Sequence, residues 1–262
     1  MDTNQKNDSK WDITAKRFVA FFDMLGFKDR IMRESNEKIY EDLTRILERS
    51  ETTLHNTLGE QPVKNLFGDS DIHIVKFSDS VVLFSKNDTV ENFILFLISA
   101  RFLFYSFLKE NFLIKGGMAY GKISLDREKQ LYFGQPIIDA YFLEEDVNYI
   151  GVVAHNSIDK FKQNIDNTNK FYSLLTQLFF EGKSPLKSGL ITHLNLNWFL
   201  QLVGNENLNG KSKDDIKKDI IIGLKKYYLS VAGSPRRYID NTIDFLNKND
   251  EITLDKINLS SK

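Results

Sequence analysis

The chain is 262 residues long, 42% hydrophobic and 27% charged, the balance of a folded globule with room for one sizeable core. Its 35 lysines and arginines against 36 aspartates and glutamates leave a net charge of −1, which gives no electrostatic footprint for gripping nucleic acid. There is no cysteine, and His55, His73, His155 and His193 lack metal-ligand spacing, so disulfides, thiolate metal sites, cysteine nucleophiles and His-Glu-x-x-His chemistry are excluded.

The first elements read as follows. Residues 1–15 form a polar, flexible start without the apolar core of a secretory signal. Arg17 to Asp23 is an apolar strand that stops at an acid. From Phe27 to about Thr57, Ile31, Ile39, Leu43, Ile46, Leu47, Leu54 and Leu58 recur at helical spacing and predict one long helical section. Gly59 to Asp71 is polar and turn-rich. Ile72–Phe77 and Val81–Phe84 predict a hairpin whose turn is Ser78, Asp79 and Ser80. The longest apolar run, Phe93 to Leu108, predicts a helix over about 89–110 that is too short for a membrane span and carries Arg101 in its middle.

Phe112 to Ser124 is a strand spotted with Gly116, Gly117 and Gly121, where another backbone or a ligand comes close. Phe133 and Gly134 open a helix that runs to about Glu145, and Tyr149–His155 is a further strand. Lys211–Lys218 reads as a solvated helix face. The order predicts an α+β fold with a central antiparallel hairpin: a core over 16–157, and a C-terminal extension, 158–262, packed on the same domain. A cytoplasmic location is expected.

Asp23 ends the first strand and Asp79 lies at the hairpin tip, so pairing of these strands brings two carboxylates together. A divalent cation relieves their repulsion, and two such ions can clamp a nucleoside triphosphate for in-line attack at phosphorus. Met24-Leu25-Gly26-Phe27 then turns into a helix, with backbone amides suited to phosphate oxygens. Taken singly, Asp23 reads as a helix cap and Asp79 as a turn residue.

Phe22-Asp23-Met24-Leu25-Gly26-Phe27 resembles the first metal motif of class III nucleotidyl cyclases, and Phe77-Ser78-Asp79 resembles the second. Lys115-Gly116-Gly117-Met118-Ala119-Tyr120-Gly121 resembles the following strand. Phe133-Gly134 with Ala140-Tyr141-Phe142-Leu143-Glu144, and Arg237-Tyr238-Ile239-Asp240-Asn241-Thr242, resemble the bacterial antiphage pyrimidine cyclases of the Pycsar system. The resemblance covers about 17–155. It implies a ferredoxin-like cyclase domain acting as a head-to-tail homodimer, with sites at the interface. It implies two Mn²⁺ or Mg²⁺ ions per site, held by Asp23, Asp79 and the Met24 carbonyl, with the Met24, Leu25, Gly26 and Phe27 backbone on the β- and γ-phosphates. The implied reaction is attack of the ribose 3′-hydroxyl on the α-phosphorus of UTP or CTP, UTP favoured, releasing pyrophosphate. An antiphage setting further implies a separate effector that binds the cyclic product.

This sequence departs from the purine enzymes at four positions. Val75 and Leu131 stand where those enzymes read the base, and Ile138 and Phe142 stand where they carry an asparagine and an arginine. Lys115, Arg101, Arg236 and Arg237 are the candidates for the missing positive charge, Lys115 foremost. Tyr120 and Tyr141 are the candidates for holding the base, and Asp139 reads as a helix-surface acid. The alternatives are a degenerate cyclase fold that binds nucleotide or a partner without turnover, and another two-metal palm enzyme. Against the latter, the hairpin lacks Gly-Gly-Asp-Glu-Phe.

Overall fold

A computed structural model describes residues 11–59, 65–199, 210–229, 231 and 233–249. Strand β1, Thr14–Met24, alternates cleanly: Phe18, Ala20, Phe22 and Met24 enter the main core, while Val19, Phe21 and Asp23 face the other side. The chain then makes α1 (Phe27–Arg33) and α2 (Asn36–Gly59). The expected single helix is therefore two. Glu34 is extended (φ −113°, ψ 157°), and Ser35 restarts the helix by accepting the Lys38 amide on its hydroxyl at 3.3 Å.

Strands β2 (Ile72–Phe77) and β3 (Ser80–Ser85) form the hairpin, with a turn of only Ser78 and Asp79; Ser80 already belongs to β3. Helix α3, Val90–Lys109, is capped by the Thr89 hydroxyl on the Asn92 amide at 3.2 Å. It is apolar enough to cross a membrane by length and composition, yet it is largely buried in the protein core. Strand β4, Ile114–Asp126, pairs along the whole of β1. The order β2-β3-β1-β4, all antiparallel with helices between β1 and β2 and between β3 and β4, is the ferredoxin-like arrangement.

A short strand β5, Leu131–Phe133, pairs back on β4, so helix α4 begins only at Gln135 and ends at Asp146. Strand β6 is reduced to Val152–Ala154, parallel to β4, and Tyr149 is instead buried beneath the bend at Gly151. Helices α5 (Asn156–Gln163) and α6 (Tyr172–Leu178) follow, then β7 (Phe179–Leu186) and β8 (Gly189–Leu196). β8 joins β6, so residues beyond 157 extend the same sheet. Helices α7 (Lys213–Lys226) and α8 (Ser234–Lys248) complete the extension, and Lys211–Lys218 indeed opens a helix, though Ile216, Ile220 and Leu224 give it a buried stripe. The Thr242 hydroxyl of α8 accepts the Ile150 amide at 2.8 Å, and the Tyr227 hydroxyl donates to the Leu108 carbonyl at 2.7 Å. Of the expected flexible start, residues 1–10 lie outside the described residues, and 11–15 are ordered: β1 begins at Thr14, and the Trp11 indole donates to Asp71 at 2.9 Å.

Candidate active site

Asp23, the penultimate residue of β1, lies opposite Ser80 on β3 and opposite Lys115 on β4. Asp79 occupies the hairpin turn, where Ser78 takes a positive φ of 55°. The Met24 amide donates to the Asp79 carbonyl at 2.9 Å, which locks the hairpin tip against the end of β1. The two acids predicted to meet are therefore brought together, both half-buried. Burial pushes the Asp23 carboxyl above its ordinary range; Lys115 and Lys187 pull it down, and the Asp79 and Glu145 charges push it up.

Among the described residues no group of three or more histidines and acids is gathered as a metal cage. Two carboxylates with the Met24 carbonyl beside them still suit a hard cation that draws its other ligands from phosphate and water, as Mg²⁺ commonly does. The following turn is set by Gly26, in the left-handed region at φ 74°, ψ 16°. The Met24 and Leu25 amides are already spent, on the Asp79 carbonyl and on the Leu113 carbonyl at 2.8 Å. The phosphate role read for this turn thus narrows to the Gly26 and Phe27 amides, with the Phe27 ring buried near Phe112.

Lys115 is on the Asp23 face, but it is not an open cation. It is buried, and its ammonium contacts the Glu144 carboxylate at 2.7 Å and donates to the Glu144 carbonyl at 2.7 Å. Glu144 is equally buried, and burial pushes its carboxyl up to about 7 against the pull of Lys115. This contact depends on close docking of α4 over β4. A Cβ on Gly117 would collide with the Ala140 carbonyl and lie 2.8 Å from the Glu144 amide, and one on Gly121 would lie 2.9 Å from the Pro136 ring. The glycines do mark close approaches: α4 crowds Gly117 and Gly121, while Gly116 is crowded by β1, whose Phe21 carbonyl would lie 2.8 Å from an added Cβ.

Tyr141 lies on the Asp23 face, edge-on to Phe21 at 5.3 Å between ring centroids. Tyr120 does not join the site. It pairs with Phe18, five residues along β1 from Asp23, stacks on that ring at 5.0 Å in the opposite layer, and donates its hydroxyl to Asp88 at 2.7 Å. Burial, with Asp88 adding to it, raises its pKa. Arg101 is buried in α3, where desolvation lowers its pKa to about 10, and Arg236 is spent on the Val231 and Tyr228 carbonyls, each at 3.0 Å. Arg237 is exposed, while Asp139 is half-buried and accepts from the Gln135 side-chain amide at 2.8 Å. Val75 is half-buried on the Asp23 face, while Leu131, Ile138 and Phe142 are exposed.

Sequence reasoning missed Glu144, Glu145, Lys187 and Tyr238. Asp146, at the end of α4, accepts from the Ser188 amide at 2.9 Å and from its hydroxyl at 2.5 Å, and its carbonyl accepts the Lys187 amide at 2.7 Å. This ties the β7–β8 turn to the site and sets the Lys187 ammonium 4.0 Å from Glu145. Tyr238 of α8 feels Lys187, Asp23, Glu144 and Glu145, and burial raises its pKa.

No family model matches the chain, and no curated protein does either. Solved structures give weak overall likenesses. The guanylyl cyclase domain of the RhoGC fusion protein from the aquatic fungus Blastocladiella emersonii is 14% identical over 71% of this chain and 98% of that one, with a TM-score of 0.45. A bacterial light-regulated adenylyl cyclase is 11% identical over 82% of this chain and 58% of that one, at 0.42. A class III adenylyl cyclase-like ATP-binding protein from Pseudomonas aeruginosa is 14% identical over 56% of this chain and 35% of that one, at 0.37.

Proposed function

We propose that this chain is a nucleotidyl cyclase that converts a pyrimidine nucleoside triphosphate, UTP before CTP, to its 3′,5′-cyclic nucleotide and pyrophosphate. The observation that carries this reading is the carboxylate pair: Asp23 and Asp79 meet at the joined ends of β1 and the β2–β3 hairpin of a ferredoxin-like sheet. Two Mn²⁺ or Mg²⁺ ions, when bound, would supply the positive charge that offsets the triphosphate and polarises the α-phosphoryl group. Asp23, Asp79 and the Met24 carbonyl would hold them. The Gly26 and Phe27 amides would take the β- and γ-phosphates, and Tyr141 would flank the base. Val75 and Leu131 support the pyrimidine assignment, because neither side chain can hydrogen-bond a purine edge.

A homodimer is part of the proposal. Phe77 (81% exposed), Ile138 (48%), Tyr141 (41%) and Phe142 (64%) leave an apolar surface on the hairpin and α4 uncovered in the single chain. A cytoplasmic location, a downstream effector for the cyclic product and a role in antiphage defence follow from the family resemblance and belong to the same proposal. A second reading, a cyclase fold that binds nucleotide without turnover, is favoured by Ile138 and Phe142, which put apolar groups where the purine enzymes carry transition-state residues.

The test is incubation of the protein with each of the four nucleoside triphosphates and Mn²⁺, with the products resolved by chromatography. Cyclic UMP ahead of cyclic CMP is expected, and Asp23→Asn or Asp79→Asn should abolish it while the fold persists. Faster formation of cyclic AMP or cyclic GMP removes the pyrimidine assignment. Nucleotide binding without pyrophosphate release selects the second reading.

A further inference from the structure

We propose that Glu144 is a positioning residue that keeps the Lys115 ammonium off Asp23, so that the Asp23 carboxylate stays open to a divalent cation. The inference rests on the reading of Asp23 and Asp79 as cation ligands and adds a role that the reading does not contain. Asp23 and Lys115 are direct cross-strand partners on β1 and β4 with side chains on the same face. Opposite residues of an antiparallel pair have Cβ atoms about 5 Å apart, and a lysine stem spans that gap readily. An oppositely charged pair in this position is within reach of a direct salt bridge, and a better partner for the ammonium prevents it.

The competitor is Glu144, which offers two acceptors to one ammonium, its carboxylate and its main-chain carbonyl, both at 2.7 Å. Both side chains are almost wholly enclosed, so water does not weaken the contact. The remaining charges around Asp23 do not replace this restraint. Asp79 and Glu145 are acids, and Lys187 lies toward Glu145 on the outer side. Lys115 is already the leading charge acting on the Asp23 carboxylate, so a buried lysine without Glu144 would turn to it, and a cation arriving there would have to displace it.

Mn²⁺ alone, titrated into the full chain at pH 8 and followed by electron paramagnetic resonance, tests this without any turnover. Glu144→Gln is expected to weaken Mn²⁺ binding roughly tenfold, the scale of one partly screened charge contact. The double variant K115M/E144Q, with no ammonium left to compete, is expected to return to within about twofold of the wild type. Unchanged binding in Glu144→Gln, or a double variant as weak as the single one, overturns the proposal. If Glu144→Gln does not fold, Glu144→Asp retracts the carboxylate by one methylene. A smaller loss is then expected, cancelled in K115M/E144D, and no loss is equally fatal. Asp23→Asn separates the two levels. Wild-type Mn²⁺ binding that is indifferent to it removes the cation site itself, and with it this inference.

Discussion

Replacing Gly117 with alanine probes the joint between sheet and helix on which the site depends. The added methyl would overlap the Ala140 carbonyl and sit 2.8 Å from the Glu144 amide and 3.1 Å from the Leu143 Cβ. The first two are backbone atoms of a regular helix, so no rotamer change relieves the clash and α4 must lift. Overpacking of this kind costs about 1–3 kcal/mol. Lifting α4 also stretches the Lys115–Glu144 contact, whose complete loss would cost about 3–5 kcal/mol. Alanine returns about 0.5–1 kcal/mol through the less flexible unfolded chain. A net loss of about 2–3 kcal/mol is expected, or about 5–10 °C in Tm for a domain of this size. Urea denaturation followed by circular dichroism measures it. Gly26→Ala is the control: its methyl meets nothing within 4 Å, and only the positive φ is penalised, by about 1 kcal/mol. If Gly117→Ala were within about 0.5 kcal/mol of the wild type, or no worse than Gly26→Ala, the close docking of α4 would not be what holds this layer.

Three further outcomes are expected. Tyr120→Phe removes the hydroxyl bond to Asp88 and should lower stability by about 1–2 kcal/mol, yet leave turnover within about twofold, as an assay beside Asp23→Asn would show. The Glu144 carboxyl, raised to about 7 when folded against about 4.3 in an unfolded chain, binds its proton more tightly in the native state. Its stabilising contribution is therefore complete below about pH 4 and lost as pH rises through 7; denaturant titrations at pH 5.5 and 8 should show that part of the slope vanish in Glu144→Gln. Phe142→Glu places a charge on the exposed apolar face of α4 and should shift sedimentation toward monomer with little change in Tm.

The carboxylate pair was legible because each acid sits at a break in a pattern, one at the end of an apolar strand and the other between two short ones. The glycines of β4 were legible as a place of close approach but not as to what approaches. Tyr120 was misplaced because strand alternation separates faces only once a register is known; its partner Phe18 belongs to the layer opposite Asp23. Glu144 was hidden inside a run of apolar and acidic residues. One signal was available: the buried positions of α4 are Pro136, Ala140 and Glu144, spaced by four, so an acid occupies the stripe that faces the sheet. The division between α1 and α2 was likewise written in Ser35, a helix-capping residue in the middle of an otherwise helical pattern.

The roof over α3 has a bearing on how the protein comes into being. That helix is closed in by groups from far along the chain: the Trp198 ring lies 4.7 Å from Phe104, and Tyr227 holds the carbonyl of Leu108. Synthesis runs from the N-terminus at about 5–20 residues per second, so every residue of the ferredoxin-like unit leaves the ribosome several seconds before its cover exists. During that interval the nascent chain displays a helix as apolar as a membrane segment. Asp23 and Asp79 are made early, at the end of the central strand that lies beside the C-terminus of α3, but the cover that holds that end of α3 in place closes late.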